Sequence, residues 1–103
     1  MAAMTQAPAV IDNTDQSRFE VHADGYLAEL VYRRRADRLV LVHTDVPEEL
    51  GGRGIAGLLV QAALAKAQAA GLTVVPLCPF ARSWLQSHPD AAASVAIDWS
   101  GPE

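Results

Sequence analysis

The stretch of sequence that decides the fold is Val46-Pro47-Glu48-Glu49-Leu50-Gly51-Gly52-Arg53-Gly54-Ile55-Ala56-Gly57. Residues rich in β-branched side chains predict a strand just before it, and a helix pattern follows it. Glycine lets a backbone adopt positive φ and approach a ligand closely. The first N–H groups of a helix have no partner within the helix and lie at the positive end of its dipole. A glycine loop in this position therefore predicts an anion-binding site, most often for a phosphate.

The composition excludes several classes of protein. The chain has 103 residues, enough for one domain with one core, and its net charge of −4 gives no overall basic field for nucleic acid. The one cysteine, Cys78, permits no intramolecular disulfide, which fits a reducing cytoplasm. No run approaches the ~18 apolar residues of a membrane span, and residues 1–9 lack the parts of a signal peptide. We expect a cytoplasmic domain over residues 1–103, disordered at residues 1–8, that binds neither nucleic acid nor membrane.

The part of the chain before the glycine loop is predicted to form strands. A short strand is expected at residues 9–11, and alternating residues predict a strand at 17–22. Residues 26–32 continue the pattern after an Asp-Gly pair, which supplies the positive φ of a hairpin turn. Residues 33–37 are predicted to turn the chain, and residues 38–46 form a further strand. The last three of these strands are expected to make an antiparallel meander.

The part after the loop alternates helix and strand. Residues 54–70 are predicted to be a helix that ends at Gly71. Residues 72–77 predict a strand, parallel to the one before the loop through a strand–helix–strand crossover. Pro76 cannot donate a ladder hydrogen bond, so one side of this strand should be unpaired there. The order β-β-β-β-α-β-α indicates an α+β domain.

A second, shorter helix is expected near the end of the chain. Residues 79–87 begin with a proline, which is favoured at the first position of a helix. Its apolar residues Phe80, Trp84 and Leu85 are expected to face the core. A last short strand is expected at residues 95–97.

The loop resembles two nucleotide-binding motifs only superficially. Residues 52–57 match G-x-G-x-x-G, but that fingerprint follows its strand directly within a parallel unit. Here residues 47–51 intervene, and the preceding strands are predicted to be antiparallel. The acidic residue expected ~20 positions further on is missing, because residues 77–79 are Leu, Cys and Pro. No Gly-Lys-Ser/Thr follows either, so a phosphate-binding loop of that class is excluded. The alternative to an anion-binding site is that the glycines only shape a strand-to-helix turn.

Two separated motifs resemble the small, single-domain branch of the GNAT acyl-CoA N-acyltransferase superfamily. They are His43-Thr44-Asp45-Val46-Pro47-Glu48-Glu49-Leu50 with the glycine loop, and Val75-Pro76-Leu77-Cys78-Pro79-Phe80. The resemblance covers about residues 18–89. It implies a GNAT-like fold, in which the strand before the loop and the strand after the helix splay apart. It also implies acetyl-CoA as co-substrate, and we expect no metal.

The resemblance implies a set of cofactor-binding residues. In the superfamily, a Q/R-x-x-G-x-G/A signature cradles the pyrophosphate of acetyl-CoA with backbone amides. Carried over, the signature covers Gly51, Gly52, Arg53, Gly54, Ile55 and Ala56. Gly51 replaces the usual Gln or Arg, which removes a side chain but no backbone donor. The pantetheine arm enters the gap between the splayed strands, where Val46 should offer it backbone groups. Arg82 could reach a coenzyme phosphate, with a solvated helix residue as the alternative.

The chemistry of acyl transfer from a thioester to an amine requires a base, donors for the oxyanion and an acid for the leaving thiolate. Asp45 and His43 are the candidate bases, and alternation puts them on one face of their strand. The resemblance implies an oxyanion donor near Val46 and a cysteine, Cys78, near the coenzyme thiol. Cys78 could be a nucleophile, an acid or a small buried side chain. The tyrosine acid of many GNAT enzymes is missing.

The main functional hypothesis is an acetyl-CoA-dependent N-acetyltransferase. Its acceptor would be an amine, either a small molecule or a protein lysine or N-terminus. The alternative is a non-catalytic acyl-CoA-binding module. A third hypothesis is an interaction domain that uses the basic cluster at residues 33–38. That cluster lies roughly 26 Å from the glycine loop along the strand and cannot hold the same pyrophosphate. The sequence leaves the oligomeric state open.

Overall fold

The computed structural model describes residues 8–100 as one five-stranded sheet with three helices. The strands are β1 (Ile11–Asn13), β2 (Arg18–Ala23), β3 (Tyr26–Arg35), β4 (Arg38–Asp45) and β5 (Thr73–Pro76). The helices are α1 (Ile55–Ala70), α2 (Pro79–Ser87) and α3 (Pro89–Ala92), and a 3₁₀ turn covers Glu48–Leu50. The disorder expected at residues 1–8 concerns positions that, apart from Pro8, lie outside the described residues.

The sheet has the order β1-β2-β3-β4-β5. The first four strands are antiparallel, and β5 is parallel to β4. Helix α1 makes the crossover between these two strands and ends at Gly71, whose φ of 67° is the left-handed conformation that stops a helix. The predicted α+β fold, with an antiparallel meander followed by a β-α-β crossover, is confirmed. None of the described helices is long and apolar enough to cross a membrane.

The turn between β3 and β4 is shorter than the prediction at residues 33–37. Residues 33–35 continue β3 and pair with residues 38–40 of β4. The chain reverses at Ala36 and Asp37, where Ala36 has a φ of 53°. The prediction of a turn at residues 33–35 is therefore wrong. Pairing with an adjacent strand decides the conformation here, because strand preference depends more on context than on the residue itself.

The C-terminal segment covers part of the outer edge of β5. Val74 donates its N–H to the carbonyl of Ala96 at 2.9 Å and accepts from the N–H of Asp98 at 2.8 Å. The Asp98 carboxylate also accepts from Arg38 Nη1 at 2.6 Å. The strand predicted at residues 95–97 is thus reduced to a single parallel bridge between Ile97 and Val74. This segment ties the chain end to the beginning of β4.

The core lies between the sheet and the helices. Alternate residues of β2 and β3 point into it, and α1 supplies small and branched side chains from several turns. Its fully buried members include Phe19, Val21, Ala28, Leu30, Leu41, Leu59 and Ala63. From α2, Ala81 and Leu85 are buried, at the i, i+4 spacing of one helix face. The prediction that Phe80 faces the core is wrong, because it lies on the adjacent face and is 40% exposed.

A buried carboxylate on β2 organises the polar face of the sheet. Glu20 is 5% exposed and accepts hydrogen bonds from Asn13 Nδ2 at 2.9 Å and from Arg18 Nε. Its other oxygen lies 3.0 Å from His22 Nε2. The hydrogen bonds from His22, Arg18 and Asn13 lower the pKa of Glu20 to about 2. In the folded protein this carboxyl group therefore stays ionised at pH values well below those at which a glutamate ordinarily takes up a proton.

Stability should fall in acid partly because of Glu20. Its pKa drops from 4.5 to about 2 on folding, so its contribution is present above pH 4.5 and is lost as the pH falls towards 2. In thermal unfolding followed by circular dichroism, Glu20→Gln should lower Tm at pH 7, and the difference from wild type should close in acid. The pKa of Asp98 is also about 2, so Asp98 contributes to the acid sensitivity of both proteins and does not affect their difference. The exposed Glu49→Gln variant should keep the wild-type profile. Parallel profiles for wild type and Glu20→Gln would refute the assignment.

Candidate functional site

A groove of about 910 Å³ opens along the stretch that decides the fold. Most residues from Val46 to Gly57 form one wall, and Thr44 at the end of β4 continues it. The opposite wall comes from Phe80 and Trp84 of α2 and from His88 at the junction with α3. The groove therefore has a backbone-rich side and an aromatic side.

The groove meets a gap between β4 and β5. The two strands pair only as far as Leu41 and Pro76. The N–H groups of Leu77 and Cys78 both donate to the Leu41 carbonyl, at 3.0 and 2.9 Å, and there the strands part. Strand β4 continues to Asp45 with β3 on its other edge. Alternate N–H and C=O groups of residues 42–45 therefore point into the gap. The predicted splay is present, and Pro76 is the last paired residue of its strand.

A β-bulge in β4 sets which side chains face the groove. Val31 pairs with His43, whereas the next residue of β3, Tyr32, pairs with Leu41. Val42 is therefore the extra residue of a bulge, which reverses the alternation of side chains beyond it. Thr44 consequently lies on the core side of the sheet, where it lines the groove.

The two candidate bases lie on the other face of the same strand. His43 and Asp45 are exposed and alternate with the groove-lining Thr44. They share a face, as the sequence indicates, but that face is opposite the groove. Only the gap between the strands connects the two sides of the sheet at this point.

The glycine loop leaves backbone donors free at the start of α1. Gly52 and Gly54 have φ of 77° and 74°, and a Cβ built on either would meet no heavy atom within 4 Å. The first hydrogen bond of the helix runs from the Leu58 N–H to the Gly54 carbonyl at 3.2 Å. The N–H groups of residues 55–57 consequently have no acceptor within the helix, and the glycine N-cap offers no side chain. Gly51 differs, because its N–H already donates to the Glu48 carbonyl at 2.9 Å.

The two arginines expected at the coenzyme have other partners. Arg53 Nη1 donates to Asp24 at 2.7 Å, in the turn between β2 and β3, and Nη2 lies 3.4 Å from the Glu49 carbonyl. Arg82 lies over the ring of Trp99, 5.5 Å from its centroid. Neither side chain lines the groove, and none of its described lining residues is a lysine or arginine. An anion bound there would contact backbone amides rather than a side-chain cation.

Cys78 lies directly behind the groove wall. It is 3% exposed and sits at the N-cap of α2. Its Sγ is 3.1 Å from Thr44 Oγ1, and either atom can be the donor. The thiol therefore reaches the groove through the Thr44 hydroxyl. Thr44 carries no motif that would single it out in the sequence, because its orientation depends on the bulge at Val42.

The aromatic wall is built around a close contact with α1. A Cβ built on Gly57 would lie 2.9 Å from Trp84 Nε1, so the indole packs directly on the helix backbone. The Trp84 ring stacks on His88 with centroids 3.9 Å apart and planes 10° apart. Among the described residues, no group of three or more His, Cys, Asp or Glu side chains could hold a metal ion.

Comparison with known proteins gives the family. A family model described as GCN5-related N-acetyl-transferase matches residues 18–95. The chain belongs to this family. A solution structure of a candidate GCN5-like N-acetyltransferase from Staphylococcus aureus is similar, with a TM-score of 0.69 and 26% identity. The match covers 92% of this chain and 90% of that one. Family and fold together place the protein among the acetyltransferases in general.

The contact between Gly57 and Trp84 should be detectable as an energetic coupling. Replacing glycine by alanine within a helix ordinarily raises the free energy of unfolding by about 0.5 to 1 kcal/mol. At Gly57 the new methyl group would meet the Trp84 indole, and such overpacking lowers the free energy of unfolding by about 1–3 kcal/mol. Urea unfolding should show Gly57→Ala destabilising the wild type by about 1 kcal/mol. The same change in a Trp84→Ala background should be stabilising. Equal effects in both backgrounds would show that the two residues do not interact.

Proposed function

We propose that the protein is an acetyl-CoA-dependent N-acetyltransferase that transfers the acetyl group to an amine. One observation carries this proposal: the unpaired amides of the α1 N-terminus open into the same groove as the gap between β4 and β5. A thioester with a nucleotide tail fits such a site, because its phosphates need donors and its arm needs a strand edge. Membership of the GCN5-related family supports the same class of reaction.

The glycine loop fits a pyrophosphate in three respects. The space before Gly52 and Gly54 is open, so the backbone is accessible where a Cβ would otherwise project. Residues 55–57 offer donors without helical acceptors, at the positive end of the α1 dipole. The described lining residues include no lysine or arginine, so the amides would be the main donors to the anion. We assign the cradle to the backbone of residues 52–56, with Gly51 shaping the turn because its own N–H is taken.

The gap between β4 and β5 fits the pantetheine arm. The arm carries amide groups, and an extended chain with amides can pair with an exposed strand edge as an added strand does. The N–H and C=O groups of residues 42–45 that point away from β3, together with those of Val46, supply that edge. This arrangement would bring the thioester towards Thr44, with Cys78 behind it.

The chemistry follows from the two faces of β4. The amine approaches from the face of His43 and Asp45, where one of these side chains accepts the amine proton. The nitrogen forms a bond to the acetyl carbon, the carbon–sulfur bond breaks, and the Val46 N–H stabilises the negative charge on the carbonyl oxygen. The leaving thiolate takes a proton from the Thr44 hydroxyl, which takes one from the Cys78 thiol. Solvent then returns a proton to Cys78 and takes the amine proton from His43 or Asp45, so both groups regain their starting states.

A non-catalytic acyl-CoA-binding module is the second candidate. One observation favours it: His43 and Asp45 are exposed on the face opposite the groove rather than in its wall. A module of this kind would use the same glycine cradle and gap, so coenzyme binding alone does not separate the two functions. Only turnover separates them.

Turnover should depend on an amine and on both faces of β4. Coenzyme release from acetyl-CoA, followed over a panel of small amines and lysine peptides, should appear with wild type. Removing both candidate bases, as His43→Gln with Asp45→Asn, should lower kcat about 100-fold.

The proton relay has its own test. Thr44→Val and Cys78→Ala should each lower kcat, and their combination should lower it no further, since they form one relay. The exposed Asp90→Asn variant is the control. Saturable acetyl-CoA binding without release in any amine would support the binding module instead.

A further inference from the structure

The aromatic wall carries an imidazole whose two nitrogens are not equivalent. His88 Nδ1 lies 2.8 Å from the Trp84 carbonyl oxygen. A carbonyl can only accept, so Nδ1 carries the hydrogen, and in the neutral ring Nε2 is a bare acceptor. Among the described residues, Nε2 has no hydrogen bond. A second proton on the ring would turn Nε2 into a charged donor at the groove.

His88 is the one basic group on the described wall of the groove. The other ionisable lining residue is the carboxylate of Glu48. The helices that carry His88 hold two further charges, Arg82, which packs on Trp99, and Asp90, which is exposed in the first turn of α3. The facing helix α1 has one charged residue, Lys66, which binds a carboxylate of β1. A cation for a second anionic group of a ligand can therefore come from His88.

The position of His88 relates it to the glycine cradle. The Nε1 edge of Trp84 packs against Gly57 in the first turn of α1, and the imidazole stacks on the face of the same indole. The indole therefore links His88 to Gly57, the residue that follows the amides assigned to the pyrophosphate. In coenzyme A, the ribose that carries the pyrophosphate at its 5′ oxygen carries a phosphate monoester at its 3′ oxygen. The two anionic groups are joined by a few bonds and would bind at neighbouring points of the groove.

We propose that protonated His88 binds the ribose 3′-phosphate of coenzyme A through Nε2. This inference rests on the proposed function, since it takes the coenzyme as the ligand. The neutral ring cannot donate from Nε2 while Nδ1–H is bound to Trp84, so the bound form must carry a proton on both ring nitrogens. The 3′-phosphate distinguishes coenzyme A from its dephospho form. His88 would therefore contribute to the affinity for coenzyme A but not to the affinity for dephospho-coenzyme A.

The test compares coenzyme A with 3′-dephospho-coenzyme A by isothermal titration calorimetry between about pH 6 and pH 8.5, the range in which histidine ordinarily changes charge. His88→Asn is the main variant, because its amide nitrogen can keep the hydrogen bond to the Trp84 carbonyl. It should bind coenzyme A about tenfold more weakly than wild type near pH 6.5, the loss expected for one charged hydrogen bond. The ratio of the coenzyme A affinities of wild type and His88→Asn should approach one near pH 8.5. Dephospho-coenzyme A should bind both proteins equally.

Two controls make the result specific. The phosphate monoester itself titrates near pH 6, so only the difference between wild type and variant at each pH is compared. His88→Arg keeps a permanent charge and should bind coenzyme A tightly at pH 8.5 as well. Coenzyme A binding that is unchanged in His88→Asn overturns the proposal, and so does an equal loss with the dephospho form. Binding of neither compound by wild type contradicts the proposed function and the role of His88 together.

Discussion

Backbone hydrogen-bonding groups without protein partners are the feature on which the site depends. Strand β4 keeps its neighbour β3 to the end but loses β5 at Leu41, and α1 begins with N–H groups that no side chain caps. Such groups normally find partners in a folded protein or in water. Here both sets lie around one groove, because the loop between β4 and α1 is only a short 3₁₀ turn and a run of glycines. In the proposed function, topology rather than side-chain chemistry thus provides the site for an extended, anionic ligand.

The same constraint explains how much of the molecule follows from its sequence. Gly54 and Gly71 mark the two ends of α1 because left-handed backbone strongly favours glycine, so the helix bounds were predictable within a residue. The prediction that β4 and β5 splay apart, and the expectation that the loop binds a coenzyme, came from resemblance to a family. The orientation of Thr44 could not be predicted, since one extra residue in the bulge at Val42 reverses the alternation. The salt bridge of Arg53 could not be predicted for a similar reason, because its partner Asp24 is distant in sequence and close only in the fold.

The aromatic wall shows what a local pattern cannot reveal. Trp84 is apolar and helical, which predicts a core position, and it does pack against the core, but it also lies on the backbone of Gly57 and lines the groove. His88 follows as the residue that ends α2, and its stacking on Trp84 depends on how two helices meet. The missing side chain of Gly57 leaves room for the Trp84 ring, so the two helices pack without a void at this point. In this protein that packing also brings a titratable group to the wall opposite the free amides.

The most direct test of the free-amide site compares two glycines at the ends of one helix. Gly54 and Gly71 have φ of 74° and 67°, and a Cβ built on either meets nothing within 4 Å. Alanine at either position adopts the left-handed conformation at a cost of about 1–2 kcal/mol, so Gly54→Ala and Gly71→Ala should lose similar stability in urea unfolding. Calorimetric titration with coenzyme A should show binding at least tenfold weaker for Gly54→Ala and unchanged for Gly71→Ala. Equal affinities in the two variants, or no saturable binding by wild type, would contradict a coenzyme held by the start of α1.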